Sequence, residues 1–157
     1  MKKFSILTLL LLSTALICLG AGTVLGESNF MDSSSLQVNL TNQNPDAARP
    51  GEPVELTLSM QNVGSENLND ITVRIKPKYP FSLVSGETLE QSIPYLNARQ
   101  DNNDAAVLKF KLMTDANAAE GTYEIDIITS AKESGSSSNT ITTTKTIRLD
   151  VRGKEYA

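Results

Sequence analysis

Residues able to ligate or react are few in this chain, and their spacing limits what they would do. Asp101-Asn102-Asn103-Asp104 places four oxygen-bearing side chains in succession, with Asp101 and Asp104 as calcium candidates. Calcium takes about six to eight oxygens at about 2.4 Å, and a loop at the rim of a sheet supplies several of them. The spacing is not that of an EF-hand and these residue types are favoured in turns, so a loop is expected, with no metal and no other cofactor. Glu124 and Asp126 stand two apart, which on a strand puts both on one face. A carboxylate pair suits glycosidase chemistry, but a solvated sheet surface is the simpler reading. Serine and threonine abound without a G-x-S-x-G or S-x-x-K setting. Histidine is absent, which removes the commonest general base and metal ligand. No catalytic residue is expected, and the chain reads as a non-enzyme. Asn39-Leu40-Thr41 is its one N-x-Ser/Thr sequon, making Asn39 a glycosylation candidate.

Lys2-Lys3, an apolar run from Phe4 to about Leu19 and then small residues form the three parts of a secretory signal. Val24 and Gly26 are small enough for a signal peptidase cutting ahead of Glu27. Residues 1–26 are therefore expected to be a hydrophobic signal helix that is removed, leaving an extracellular or cell-surface protein. A retained anchor is the alternative, because Phe4 to Gly26 carries no charge and is long enough to cross a bilayer. Cys18, the only cysteine, follows the bulky Ile17, a poor lipoprotein signal, and reads as a small apolar leader residue. The body must then be held by packing and sheet hydrogen bonds without a disulfide.

Without Lys2 and Lys3 the chain keeps 12 of its 14 basic side chains against 18 acidic ones. A net charge of about −6 with no basic cluster argues against nucleic acid as a partner. The membrane is expected as a partner only through an uncleaved N-terminal segment.

Residues 27–35 read as a polar linker. From 36 to 152 short stretches of period two alternate with turn residues, and 153–157 form a short tail. Leu36, Val38 and Leu40 share one face. Val54, Leu56, Leu58 and Met60 alternate with Glu55, Thr57, Ser59 and Gln61, and Ile71, Val73 and Ile75 follow. Phe81 to Ile93 is less regular and holds one or two short edge strands around Ser85-Gly86. Leu108, Phe110 and Leu112, then Tyr123, Ile125 and Ile127, then Ile147, Leu149 and Val151 complete the pattern. Asp115 to Gly121 is too short for a free-standing helix and reads as a one-turn crossover. The expected fold is all-β, an immunoglobulin-like antiparallel β-sandwich of about seven strands.

The run PGEPVELTLSMQNVGSENLNDITVRI (Pro50 to Ile75) resembles the start of the CARDB-type and alpha-galactosidase-associated Ig-like domains of exported prokaryotic proteins, including archaeal S-layer-like repeats. DANAAEGTYEIDI (Asp115 to Ile127) resembles the penultimate strand of the same families. The resemblance covers roughly residues 36–152 and implies a spacer or adhesion module. Unlike those arrays, the chain is expected to carry one copy, with neither a catalytic domain nor a C-terminal membrane segment.

The motif residues also have physical roles. Pro50 and Pro53, having no N–H, are expected to bracket a turn with Gly51 and to delay pairing until Val54. Asn62 and Gly64 close the strand, Gly64 being suited to positive φ. Gly121 leads into Tyr123, placed as a tyrosine corner whose ring is buried while its hydroxyl bonds nearby backbone.

The functional expectation is a cell-envelope structural or protein-interaction module, meeting other envelope proteins or itself through sheet faces or edges. The threonine-rich run from Thr140 to Thr146, with the single charge Lys145, is the edge singled out. The alternatives are a carbohydrate-binding or adhesin module, disfavoured by the absence of tryptophan, a part of a larger surface protein, and an exported hydrolase.

Overall fold

The computed structural model describes residues 35–101, 103–134 and 140–153. The expected signal helix, linker residues 27–34 and the tail beyond Gly153 lie outside these residues. The strands are β1 (Leu36–Asn44), β2 (Pro53–Asn62), β3 (Leu68–Lys76), β4 (Phe81–Leu83), β5 (Glu90–Leu96), β6 (Ala106–Thr114), β7 (Gly121–Glu133) and β8 (Thr140–Val151). They form two four-stranded antiparallel sheets, ordered β1-β2-β6-β4 and β5-β3-β7-β8. The protein is an all-β sandwich.

Eight strands stand among the described residues where the alternation suggested about seven. The irregular stretch after Pro80 splits, and its halves join different sheets. Phe81–Leu83 pairs with β6, whereas Glu90–Leu96 pairs with β3. Gly86, at φ +86°, lies in the turn between them, next to the bond from Glu87 N to Val84 O.

The period-two pattern fixes which side chains meet. Leu56, Leu58 and Met60 of β2 are fully buried, as are Ile71 and Val73 of β3 and Ile125 and Ile127 of β7. Each such side chain contributes about 1.5–3 kcal/mol on burial. A slip of one residue would turn Glu55, Thr57 and Ser59 into the core, so the register is strongly specified.

Two turn roles differ from those expected. Glu52 N donates to Arg49 O at 3.0 Å, and Gly51 takes φ +81°, giving a type II turn with Pro50 and Gly51 at its centre. Pro53, however, is already in register opposite Met113. Pairing starts earlier than Val54 because Gly51 N donates to Thr114 O and Glu52 O accepts from Thr114 N. A proline that opens a strand removes a donor only at the end of the ladder.

Gly64 is not among the residues with positive φ. It is needed for space instead. A Cβ there would lie 2.7 Å from Ser35 Cβ and 3.2 Å from Asn62 Oδ1. Ser35, assigned by sequence to the linker, belongs to the body, since its carbonyl accepts from Val63 N at 2.7 Å.

Asn62 organises this end of the sandwich. Its side chain is fully buried, with Oδ1 accepting from Gly64 N at 3.1 Å and Nδ2 donating to Glu66 O at 2.7 Å. Its backbone N donates to Gln100 Oε1 and its carbonyl accepts from Gln100 N.

At the opposite end, Asp115 Oδ1 accepts from Asn117 N and Asp115 O accepts from Ala118 N, folding the β6–β7 crossover into one turn. Gly121 then opens β7 opposite Val151. Tyr123 Oη donates to Ala119 O at 2.9 Å, and its half-buried ring meets those of Tyr79 and Phe81 edge-on.

Candidate functional site

The features with most consequence for interactions are the four outermost strands, β1, β4, β5 and β8, and the two seams where the sheets meet edge to edge. An outermost strand presents unpaired backbone groups and invites another strand unless something blunts it. Three carry an evident block. β4 is only three residues long. β5 holds the exposed Pro94, which cannot donate to a ladder. β1 breaks register between Leu40 and Asn42, where Thr41 Oγ1 donates to Thr57 O at 3.0 Å.

β8 is protected differently. Asp150 directs its backbone toward β1, with N donating to Gln43 Oε1 at 3.3 Å and its carbonyl accepting from Gln43 Nε2 at 2.9 Å and Ala48 N at 2.8 Å. The Gln43 amide thus acts as a short piece of strand. By the two-residue repeat, Thr146, Thr144 and Thr142 present their backbone groups the same way. Across the β7–β8 ladder Lys145 lies opposite the fully buried Ile127, in the phase that faces the other sheet. Its Nζ crosses the seam, donating to Val38 O and, at 2.9 Å, to Asn39 Oδ1. An inward-phase charge on an edge strand opposes strand addition.

Sequence reasoning noted Lys145 only as the charge in a threonine run. Its parity with Ile141, Ile147 and Leu149 was the signal that assigns it to the inner phase. Above it the seam opens into a small crevice lined by Ser35, Leu36, Leu68, Ala131, Ile141 and Thr143, with room for about one water molecule. There Thr129 Oγ1 and Thr143 Oγ1 share a hydrogen bond of 2.6 Å. On the other seam Gln91 Nε2 donates to Lys109 O, joining β5 to β6.

The outward face of β3, β7 and β8 is paired rung by rung. Thr122 Oγ1 donates to Asp150 Oδ1, Glu124 pairs with Arg148 at 3.2 Å, and Lys132 pairs with Asp70 at 3.1 Å. Asp126 accepts from Lys78 Nζ at 2.7 Å and from Thr146 Oγ1 at 3.0 Å. The Lys78 and Thr146 hydrogen bonds, with the charges of Lys78 and Lys76, hold its carboxyl below the ordinary value of 3.8. Glu124 and Asp126 therefore sit in separate ion pairs.

Asp101 Oδ1 accepts from Asn103 N at 2.8 Å, and Asp104 N donates to Asp101 O at 3.2 Å, so both aspartates are built into a turn. Asn102 lies outside the described residues. Among those described, no three His, Cys, Asp or Glu side chains converge as a metal site. Asn39 is exposed on β1.

No family model matches the chain. It is similar to two uncharacterized proteins of Methanocaldococcus jannaschii. One is 31% identical over 102 residues, covering 63% of this chain and 18% of that protein. The other is 30% identical over 103 residues, covering 64% of this chain and 23% of that protein. The chain thus spans about a fifth of the length of these curated relatives. Among solved structures it is similar to the yeast GGA1_GAE domain, with a TM-score of 0.47 and 10% identity over 76% of this chain and 95% of that one.

Proposed function

We propose that this chain is an exported, non-catalytic module of the cell envelope, a spacer or interaction domain of the immunoglobulin-like kind. The observation that carries the reading is where the chain enters and leaves the sandwich. β1 begins beside the last residue of β2, Leu36 lying opposite Asn62, whereas β8 finishes at the other end, Val151 lying opposite Gly121. A body entered at one end and left at the other suits spacing along a surface or joining in line with neighbours. Side-chain bonds across both seams suit that role, because they couple the sheets without relying on the core alone. The secretory pattern of residues 1–26 and the resemblance to exported Ig-like domains support delivery outside the membrane. The missing histidine narrows the chemistry available to the body.

Fractionating cells and sequencing the protein's N-terminus tests this reading. The expected result is a chain starting at Glu27 in the envelope or the medium, cross-linked in intact cells to another envelope protein or to itself. A full-length chain confined to the cytoplasm would overturn it.

A further inference from the structure

We propose that Asn39 carries an N-linked glycan, and that this glycan shields the seam between β1 and β8. The inference rests on the export reading above, because saccharide transfer to a sequon accompanies passage across a membrane. Asn39-Leu40-Thr41 is the one such sequon in the chain. Transfer to an unfolded chain needs only the tripeptide, so the demand on the fold is that it accept the product.

The geometry meets that demand at the level of single atoms. Asn39 is exposed on an outermost strand. Its Oδ1 accepts from Lys145 Nζ at 2.9 Å, while its Nδ2 has no hydrogen bond among the described residues. In the transfer, Nδ2 bonds to the anomeric carbon of a lipid-linked saccharide phosphate. The anomeric carbon–oxygen bond breaks, the lipid phosphate departs, and one Nδ2 proton passes to the transferase. The product is a secondary amide that keeps its carbonyl, so the Lys145 contact survives. Leu40 packs against the core, and exposed Thr41 sits at the register break. The attached sugar would stand on β1 beside the Lys145 contact, adding bulk to the register break at Thr41 on the side where an incoming strand would approach. β4 and β5 need no such cover, being blunted by shortness and by Pro94.

The test is peptide mass analysis of the protein purified from its own cells and cut before aspartates, which releases residues 32–45. The expected peptide carries a whole number of sugar residues on Asn39. The increment should disappear in Asn39→Gln and Thr41→Ala and remain in Thr41→Ser, all made in the same cells. An unmodified peptide, or an increment that survives Thr41→Ala, overturns the proposal. The N-terminal peptide of the same digest separates the two readings. A start at Glu27 with bare Asn39 rejects only the glycan, whereas bare Asn39 on a full-length chain confined to the cytoplasm rejects both. The same chain made in cells that lack the transferase keeps both the Lys145 contact and the Thr41 bond to Thr57, so its sedimentation tests the shielding. A shift to faster species at equal concentration is expected, and a profile identical to the glycosylated protein's overturns it.

Discussion

Lys145 on β8 and Val38 on β1 are joined by a hydrogen bond from an ammonium group to a backbone carbonyl, linking the outermost strand of one sheet to that of the other. The same Nζ reaches Asn39 Oδ1 at 2.9 Å. The bond does two things. It satisfies a carbonyl that has no strand partner, and it fixes a positive charge where a further strand would have to lie.

Lys145→Val separates those effects from simple loss of length. Valine favours the strand and fits the inner phase of Ile141 and Ile147, but it leaves Val38 O open and removes the only charge between Thr140 and Ile147. The variant is expected to lose about 1.5–3 kcal/mol of stability, the scale of a hydrogen bond to a charged group. It is also expected to self-associate, read as a concentration-dependent rise in sedimentation coefficient. A variant that stays monomeric throughout would show that Lys145 does not guard the edge.

Asn62 is the polar residue on which one end of the sandwich depends. Asn62→Ala leaves Gly64 N and Glu66 O without their side-chain partners inside a closed turn, while the backbone bonds to Gln100 remain. Two stranded groups and a small void should cost about 2–4 kcal/mol. The measurement is the urea midpoint, with the slope of the transition unchanged. A loss below half of that range would mean that water replaces both bonds at no cost.

Much of this architecture was legible because the core is written in strict alternation. Leu56, Leu58 and Met60 disclose their shared face without any knowledge of the partner strand. Phe81 to Ile93 was less clear, because β4 and β5 lie at sheet margins where fewer side chains reach the core. Gly64 shows a different limit. Freedom of φ is a local property that a sequence suggests, whereas close approach to Ser35 depends on a residue far along the chain. Gln43 and Lys145 were missed for the same reason, their partners Asp150 and Val38 being more than a hundred residues away.

Asp126 gives the stability a pH dependence of known sign. Its carboxyl titrates lower in the folded protein than its ordinary 3.8, through Lys78 and Thr146 first and the charge of Lys76 after them. A carboxylate whose folded value is depressed contributes stability above its unfolded value and loses it as pH falls through the folded one. Asp126→Asn should therefore be less stable than the native protein at neutral pH. The gap should begin to narrow as pH falls toward 3.8 and keep narrowing as pH falls through the lower folded value. Urea midpoints across that interval check it, and a gap independent of pH would place the effect of the substitution elsewhere.

Thr114 offers the opposite kind of change, a gain in stability from removing a polar group. It lies on the inner phase of β6 opposite Phe81 and is almost wholly buried, and its Oγ1 has no hydrogen-bond partner among the described residues. Its backbone is fully used, N donating to Glu52 O and the carbonyl accepting from Gly51 N, so the residue's position is held without the hydroxyl. A buried hydroxyl with nothing to bond forfeits its hydration and gains nothing in return. Valine has nearly the same shape and equal strand preference, so Thr114→Val keeps the packing and removes the orphan atom. The expected outcome is a rise of about 1–2 kcal/mol in unfolding free energy, seen as a higher urea midpoint with the same slope. A fall would mean that the hydroxyl bonds a buried water between β6 and the Pro50-Gly51 turn, and that this water is part of the fold.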